Sequence, residues 1–122
     1  MKATAVILQV SDLARSTRFY GDGVGLVELH AGSDNGMPGD RWLDGAHQAM
    51  TFAGNGDIHF AIYERPDEPT RAMQIGFSVA NLDEAHQRML DIGATVLHPP
   101  RKEPWGMVAR YEDPDGNYIS LG

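Results

Sequence analysis

The sequence predicts an α+β fold: two βαβββ modules that form a curled mixed sheet with a groove. Three observations predict it. The first is an internal repeat, in which Val10-Ser11-Asp12-Leu13, a helical stretch and Gly25-Leu26-Val27-Glu28-Leu29-His30 return as Val79-Ala80-Asn81-Leu82, a helical stretch and Gly93-Ala94-Thr95-Val96-Leu97-His98. The copies are spaced by about half the chain, too far for a solenoid repeat and right for a duplicated half-domain. A single-residue adjustment falls in the helix. The second observation is period-two alternation in the segment before each helix, and the third is turn chemistry between the last two strands of each copy.

Each copy opens with a strand. Val6, Leu8 and Val10 share one face of Thr4 to Val10, with Ala5, Ile7 and Gln9 on the other; Ile75, Phe77 and Val79 share one face of Gln74 to Val79, with Gln74, Gly76 and Ser78 opposite. An apolar face of period two means a strand half-covered by a helix. In the first copy Ser11 or Asp12 caps that helix, Leu13 and Tyr20 face the sheet, and Gly21 to Gly25 close it. In the second, Asn81 and Glu84 form a capping-box pattern, Leu82, Ala85, Met89 and Ile92 make a one-sided stripe, and Gly93 ends the helix. Three strand-like segments follow each helix: Leu26 to His30, Ala49 to Ala53 and Ile58 to Glu64, then Thr95 to His98, Met107 to Tyr111 and Tyr118 to Leu121. Asn55-Gly56-Asp57 and Asp113 to Asn117 are the turns. Ala31 to Gly45, with four glycines, reads as a long irregular loop of the lid or binding-site kind. Arg65 to Thr70 reads as the linker, so 1–122 is one domain with a first module of about 1–65 and a second of about 71–122.

Composition narrows the function. The formal net charge is −7, which argues against nucleic acid or an anionic membrane as partner. No apolar run approaches the roughly 20 residues of a membrane span, and the N-terminal stretch lacks the layout of a signal peptide. The chain has no cysteine, which excludes disulfides and thiolate metal sites. A cytoplasmic location is the default expectation.

Alternation also assigns the groove face. With Ile58, Phe60 and Ile62 toward the helix, His59, Ala61 and Tyr63 face the groove; with Ile119 and Leu121 toward the helix, Tyr118 and Ser120 do. Tyr111 beneath the helix leaves Val108 and Arg110 in the groove, and a bend at Pro104-Trp105-Gly106 puts Trp105 at its mouth. The candidate ligand-binding set is Ile7, Gln9, Thr51, His59, Tyr63, Gln74, Ser78, Trp105, Val108, Arg110, Tyr118 and Ser120. Aromatic surface with a few hydrogen-bonding groups and one cation is the usual make-up of a small-molecule pocket. Plainer roles stand beside these. Arg110 pairs equally well with a carboxylate, Trp105 with core or a dimer interface, and Tyr63 and Tyr118 with sheet packing. Asp113 and Asp115 fit turn geometry, His86 a solvated helix face, His30 and His98 strand ends, and His47 a loop.

Val10-Ser-Asp-Leu-Ala-Arg-Ser-Thr-Arg-Phe-Tyr20, the following Gly25, and Glu112-Asp-Pro-Asp-Gly-Asn-Tyr-Ile-Ser-Leu121 together make the chain resemble the vicinal oxygen chelate superfamily of glyoxalases, extradiol dioxygenases, fosfomycin-resistance enzymes and bleomycin-resistance proteins. The resemblance covers essentially the whole chain. It implies four pseudo-symmetric positions for metal ligands, which are mostly His or Glu in metal-using members. Here they hold Ala5, Ala61, Gln74 and Ser120, so the resemblance implies no metal at the usual site and no cofactor.

Pro104-Trp105-Gly106 leading into the Asp-Pro turn looks like the bleomycin-resistance branch, whose members are metal-free and bind an antibiotic in grooves formed by a homodimer. The expectation is therefore metal-independent sequestration of a planar or aromatic small molecule, by a homodimer, without catalysis. The net charge fits a cationic ligand. The alternative is a glyoxalase- or dioxygenase-like lyase or isomerase, with non-standard metal ligands or with His59 as general base. A regulatory module with a vestigial groove is a third reading.

Overall fold

A computed structural model describes residues 4–33, 48–53, 55–56 and 58–122. Most of the predicted loop from Ala31 to Gly45, His47 and the Asp57 turn position lie outside the described residues. The elements are β1 (Ala5–Val10), α1 (Leu13–Thr17) continuing as a π-helical segment over Arg18–Val24, β2 (Val27–Ser33), β3 (Gln48–Ala53), β4 (His59–Glu64), β5 (Gln74–Phe77), α2 (Leu82–Asp91), β6 (Thr95–Glu103), β7 (Gly106–Glu112) and β8 (Tyr118–Leu121). They form two four-stranded sheets of the same order, β1-β4-β3-β2 and β5-β8-β7-β6. In each sheet the first and last strands pair in parallel and the other pairings are antiparallel.

Both helices begin on a side-chain cap. Asp12 accepts the Arg15 N–H at 3.0 Å and Asn81 accepts the Glu84 N–H at 3.0 Å, each removing one orphan donor of the first turn. Of the two cap candidates in the first copy, Asp12 takes the role because the Ser11 hydroxyl is committed to Asp115. The repeat's single extra residue has a physical form. From Leu13 to Gly25 the first copy is one residue longer than from Leu82 to Gly93, and it absorbs the surplus as π-helix, where bonds span i to i+5. Both copies then leave the helix through a left-handed glycine, Gly25 at φ 95° and Gly93 at φ 73°.

Several element limits differ from the sequence expectation. β2 runs on to Ser33, into the predicted loop. β6 continues past His98 to Glu103, because bulges between Val96 and Arg101 let Pro99 and Pro100 ride an edge strand that needs no N–H from them. β5 stops at Phe77, which leaves Ser78 beyond the strand. Ile58 lies outside β4 and is exposed rather than covered by the helix.

Among the described residues no strand pairing joins the two sheets; they pack through their helix-covered faces into one core. Leu8, Val10, Phe52, Phe60 and Ile62 of the first sheet share it with Ala109, Tyr111, Ile119 and Leu121 of the second, and with Tyr20, Ala85 and Met89 of the helices. Tyr20 is the hub. Its ring lies 4.9 Å from Phe19, 5.3 Å from Phe60 and 6.3 Å from Phe77, the last across the boundary between modules. Its hydroxyl donates to Asp113 Oδ2 at 2.5 Å, and Asp113 also accepts from the backbone N–H of Asp115 and Asn117 and from Asn117 Nδ2. Asp113 and Asp115 thus do more than shape a turn: they join the end of the second module to the first helix, where Ser11 donates to Asp115. Arg88 completes the seam by donating to the carbonyls of Gly23 and Val24. At Gly23 an added Cβ would meet Ile92 Cδ1 at 2.6 Å and Met89 Sδ at 2.7 Å, so any larger residue would have to displace these side-chain ends. His86, expected in solvent, is half-buried with Nδ1 2.6 Å from the Tyr111 hydroxyl, because α2 lies close enough to β7 for the two to meet.

Burial, followed by the adjacent Asp113 carboxylate, holds the Tyr20 phenol well above its ordinary value. The folded state therefore keeps this proton to higher pH than the unfolded chain, whose tyrosines titrate near ~10. The stability it contributes is complete below about pH 10 and is lost as pH rises beyond that. Tyr20→Phe is expected to lower unfolding stability by about 1–3 kcal/mol at neutral pH. It should also flatten the loss of stability above pH ~10, as read by urea denaturation across pH.

Candidate functional site

Both helix-covered faces enter one core, which leaves the opposite face of each sheet outside it. These opposite faces carry the sequence-predicted site, and they differ in character. On the first sheet, register places Ile7 beside Ala61, Gln9 beside Tyr63, Ala5 beside His59, and Thr51 beside Ala61. Ala49, Ala61 and Tyr63 are buried and, with Ile7, form a second, smaller apolar cluster. Thr51 is buried as well, while His59 and Gln9 are half-buried. The backbone of Gln9 is held by Thr70, whose N–H donates to its carbonyl and whose hydroxyl accepts from its N–H.

The second sheet offers an exposed polar wall. Gln74, Arg110, Tyr118 and Ser120 line a depression of about 110 Å³ together with Gly76. Register fixes the arrangement: Gln74 lies beside Tyr118, Gly76 beside Ser120, and Ser120 beside Arg110, whose other neighbour is His98. A Cβ at Gly76 would sit 3.0 Å from Ser120 Oγ, so the glycine keeps that hydroxyl uncovered. Val108 follows on the same face, half-buried beside Gly122. Arg110 makes no ion pair among the described residues, in contrast to Arg65 and Arg101.

Two predicted residues fall elsewhere. Trp105 sits at the tip of the β6–β7 hairpin, 73% exposed, and does not line the depression. Ser78 borders a separate cavity of about 280 Å³ with Val24, Phe77 and Arg88, on the helix side. A further cavity of about 330 Å³ between the modules is lined by Arg15, Arg18, Phe19, Ile92 and Glu112, residues that strand alternation had no means of singling out. Their signal in the sequence is only the spacing of Arg15 and Arg18 on one helical face.

The donor set does not fit a divalent ion at the four family positions. Ala5 and Ala61 present methyl groups, and Gln74 and Ser120 are neutral oxygen donors on the other sheet. Among the described residues no group of three His, Asp or Glu side chains converges elsewhere.

A duplicated βαβββ chain whose uncovered sheet faces carry the polar positions defines a recognisable class. The chain belongs to the Glyoxalase/Bleomycin resistance protein/Dioxygenase superfamily, whose family model matches residues 2–121. No protein of curated function matches it in sequence. Among solved structures it is similar to a glyoxalase/bleomycin resistance protein from Streptomyces sp. CB03234, at 26% identity and TM-score 0.71, covering 99% of each chain. It is also similar to TnmS3, an antibiotic binding protein from the same organism, at 25% identity and TM-score 0.72, covering 100% of this chain and 94% of that one. Fosfomycin resistance protein FosX from Mesorhizobium loti shares the fold at 24% identity and TM-score 0.65, covering 99% and 88%. The superfamily thus holds both antibiotic-binding proteins and resistance enzymes. No helix among the described residues is long and apolar enough to cross a membrane.

Two aromatic residues of the predicted site separate cleanly in energy. Tyr63→Ala removes a fully buried ring and is expected to cost roughly 3–5 kcal/mol. Trp105→Ala at the exposed hairpin tip should stay within about 0.5 kcal/mol of the parent. Paired urea denaturation midpoints check the contrast.

Proposed function

We propose that this protein is a metal-independent, cytoplasmic binding protein that sequesters a small planar or aromatic molecule, and that it does so as a homodimer. The observation that carries this reading is the polar, exposed wall of Gln74, Arg110, Tyr118 and Ser120, together with alanine at both first-module ligand positions. Tyr118, 41% exposed, supplies a stacking face; Gln74, Ser120 and Arg110 supply directed polar contacts. The antibiotic-binding likeness of TnmS3 supports the same reading.

The dimer follows from incompleteness. A depression of about 110 Å³ holds little of a drug-sized ligand, whose pockets run to roughly 300–1,000 Å³. One chain supplies one wall, since the depression is lined by residues of the second module alone. The outer edges of β1 and β5 have no strand partner among the described residues, β1 being met there by Thr70 at Gln9, and the open stretches of such edges are templates for pairing with another chain. A second copy that sets its β1 edge against β5 brings Ile7 and His59 of one chain opposite Gln74, Tyr118 and Ser120 of the other, around a two-fold axis. Exposed Met107 on β7 favours coverage by that same copy.

Native mass spectrometry of protein purified without chelators tests the three parts together. The expected species is a metal-free dimer that retains or takes up a small molecule. Stoichiometric Fe, Mn, Ni or Zn would sink the metal-free reading, and a monomer at micromolar concentration would sink the shared groove. The enzymatic alternative rests on His59, half-buried opposite Ala5 on the same face. His59→Ala is expected to leave ligand-induced thermal stabilisation within about twofold of the parent in apparent Kd; loss of turnover of a bound compound would instead favour the enzyme.

A further inference from the structure

We infer that the molecule taken by the second-sheet wall is a planar aromatic acid, and that Arg110 selects it by pairing with its anionic group. The inference rests on the binding reading above and names the ligand class of that site.

Four residues lie in one row across the sheet, from β6 to β5: His98, Arg110, Ser120 and Gly76. Arg110 stands at the centre of the row. It has no carboxylate partner among the described residues, although the chain carries 17 acidic side chains against 10 basic ones. The acid best placed to neutralise it is Glu112, two residues along the same strand and on the same face. Glu112 Oε1 is instead turned to the 113–117 turn, 3.6 Å from where a Cβ would stand on Gly116. His98 Nδ1 is engaged by the Pro99 carbonyl at 2.9 Å. The guanidinium therefore lines the depression with no ion-pair partner among the described residues.

Closure of the groove by a second chain makes this costly. A charge withdrawn from water without a partner is destabilising, and the remedy is an opposite charge with matched geometry. A guanidinium presents paired N–H groups that fit the two oxygens of a carboxylate, and charge-assisted pairs of this kind are about twice as strong as neutral hydrogen bonds. Ser120, left uncovered by Gly76, adds a hydroxyl donor one strand away, and the ring of Tyr118 lies in the next row to receive a planar body. Overall acidity then serves selectivity: an anion meets repulsion over most of the surface and finds at this wall a cation with no carboxylate partner among the described residues. The expectation of a cationic ligand, drawn from net charge, gives way to the local charge at the wall.

The test compares 2-naphthoic acid, 2-naphthamide and 2-naphthylmethylamine by isothermal titration calorimetry on the intact protein at low and high salt. The acid should bind at least tenfold more tightly than either analogue, and the margin should shrink as salt rises. Arg110→Gln should abolish the margin while leaving the Tm of the free protein unchanged, and Arg110→Lys should restore part of it. Equal binding of acid and amide, or a preference that survives Arg110→Gln, overturns the inference and leaves the binding reading standing. Failure of all three compounds to bind overturns both.

Discussion

Everything in this chain is organised around the meeting of Tyr20 with Asp113. The phenol ends the first helix inside an aromatic cluster drawn from both sheets, and its hydroxyl reaches the buried turn that closes the second module. A buried carboxylate is tolerable only when its acceptor sites are filled, and here one tyrosine, one asparagine and two backbone N–H groups fill them. The same turn positions Asn117, which bonds the linker carbonyl of Thr70 and the N–H of Met73. Two modules that share no strand pairing are thereby held in one relative orientation.

That orientation decides what one chain can do. Packing the helix-covered faces together buries Leu8, Ile62, Tyr111 and Leu121 efficiently, and it leaves Gln74, Arg110 and Tyr118 exposed on the opposite face of the second sheet. The polar wall on the second sheet consequently lies outside the core. The family's chelate positions lie on the parallel strand pair at one edge of each sheet, β1 with β4 and β5 with β8, and with alanine at two of them the wall's remaining chemistry is hydrogen bonding, stacking and a single cation.

The sequence made the architecture legible because its signals are local and periodic. Alternation at Val6-Leu8-Val10 and Ile75-Phe77, the cap at Asn81 and the glycines at 25 and 93 each have one structural solution. The groove-face residues of β4, β7 and β8 follow from the same parity. What the sequence hid was non-local. Asp113 is a turn residue by every local criterion, and only the fold brings it to Tyr20, 93 positions away. Trp105 looked like a groove residue because the length of β6 was underestimated: two prolines concealed a strand that continues through bulges and carries the tryptophan to an exposed tip. His86 was misplaced for a related reason, since helical phase alone does not register a hydroxyl reaching up from the sheet beneath.

The separation of the seam from the wall has a consequence for change over time. Tyr20, Asp113, Arg88 and Gly23 fix the body of the molecule from behind, while Gln74, Arg110 and Tyr118 are exposed on short strands and hold up none of the core. Substitutions on the wall therefore draw little on a stability margin that is small in any protein. Such a surface is rewritable: positions 74, 110, 118 and 120 can change while the frame behind them stays as it is.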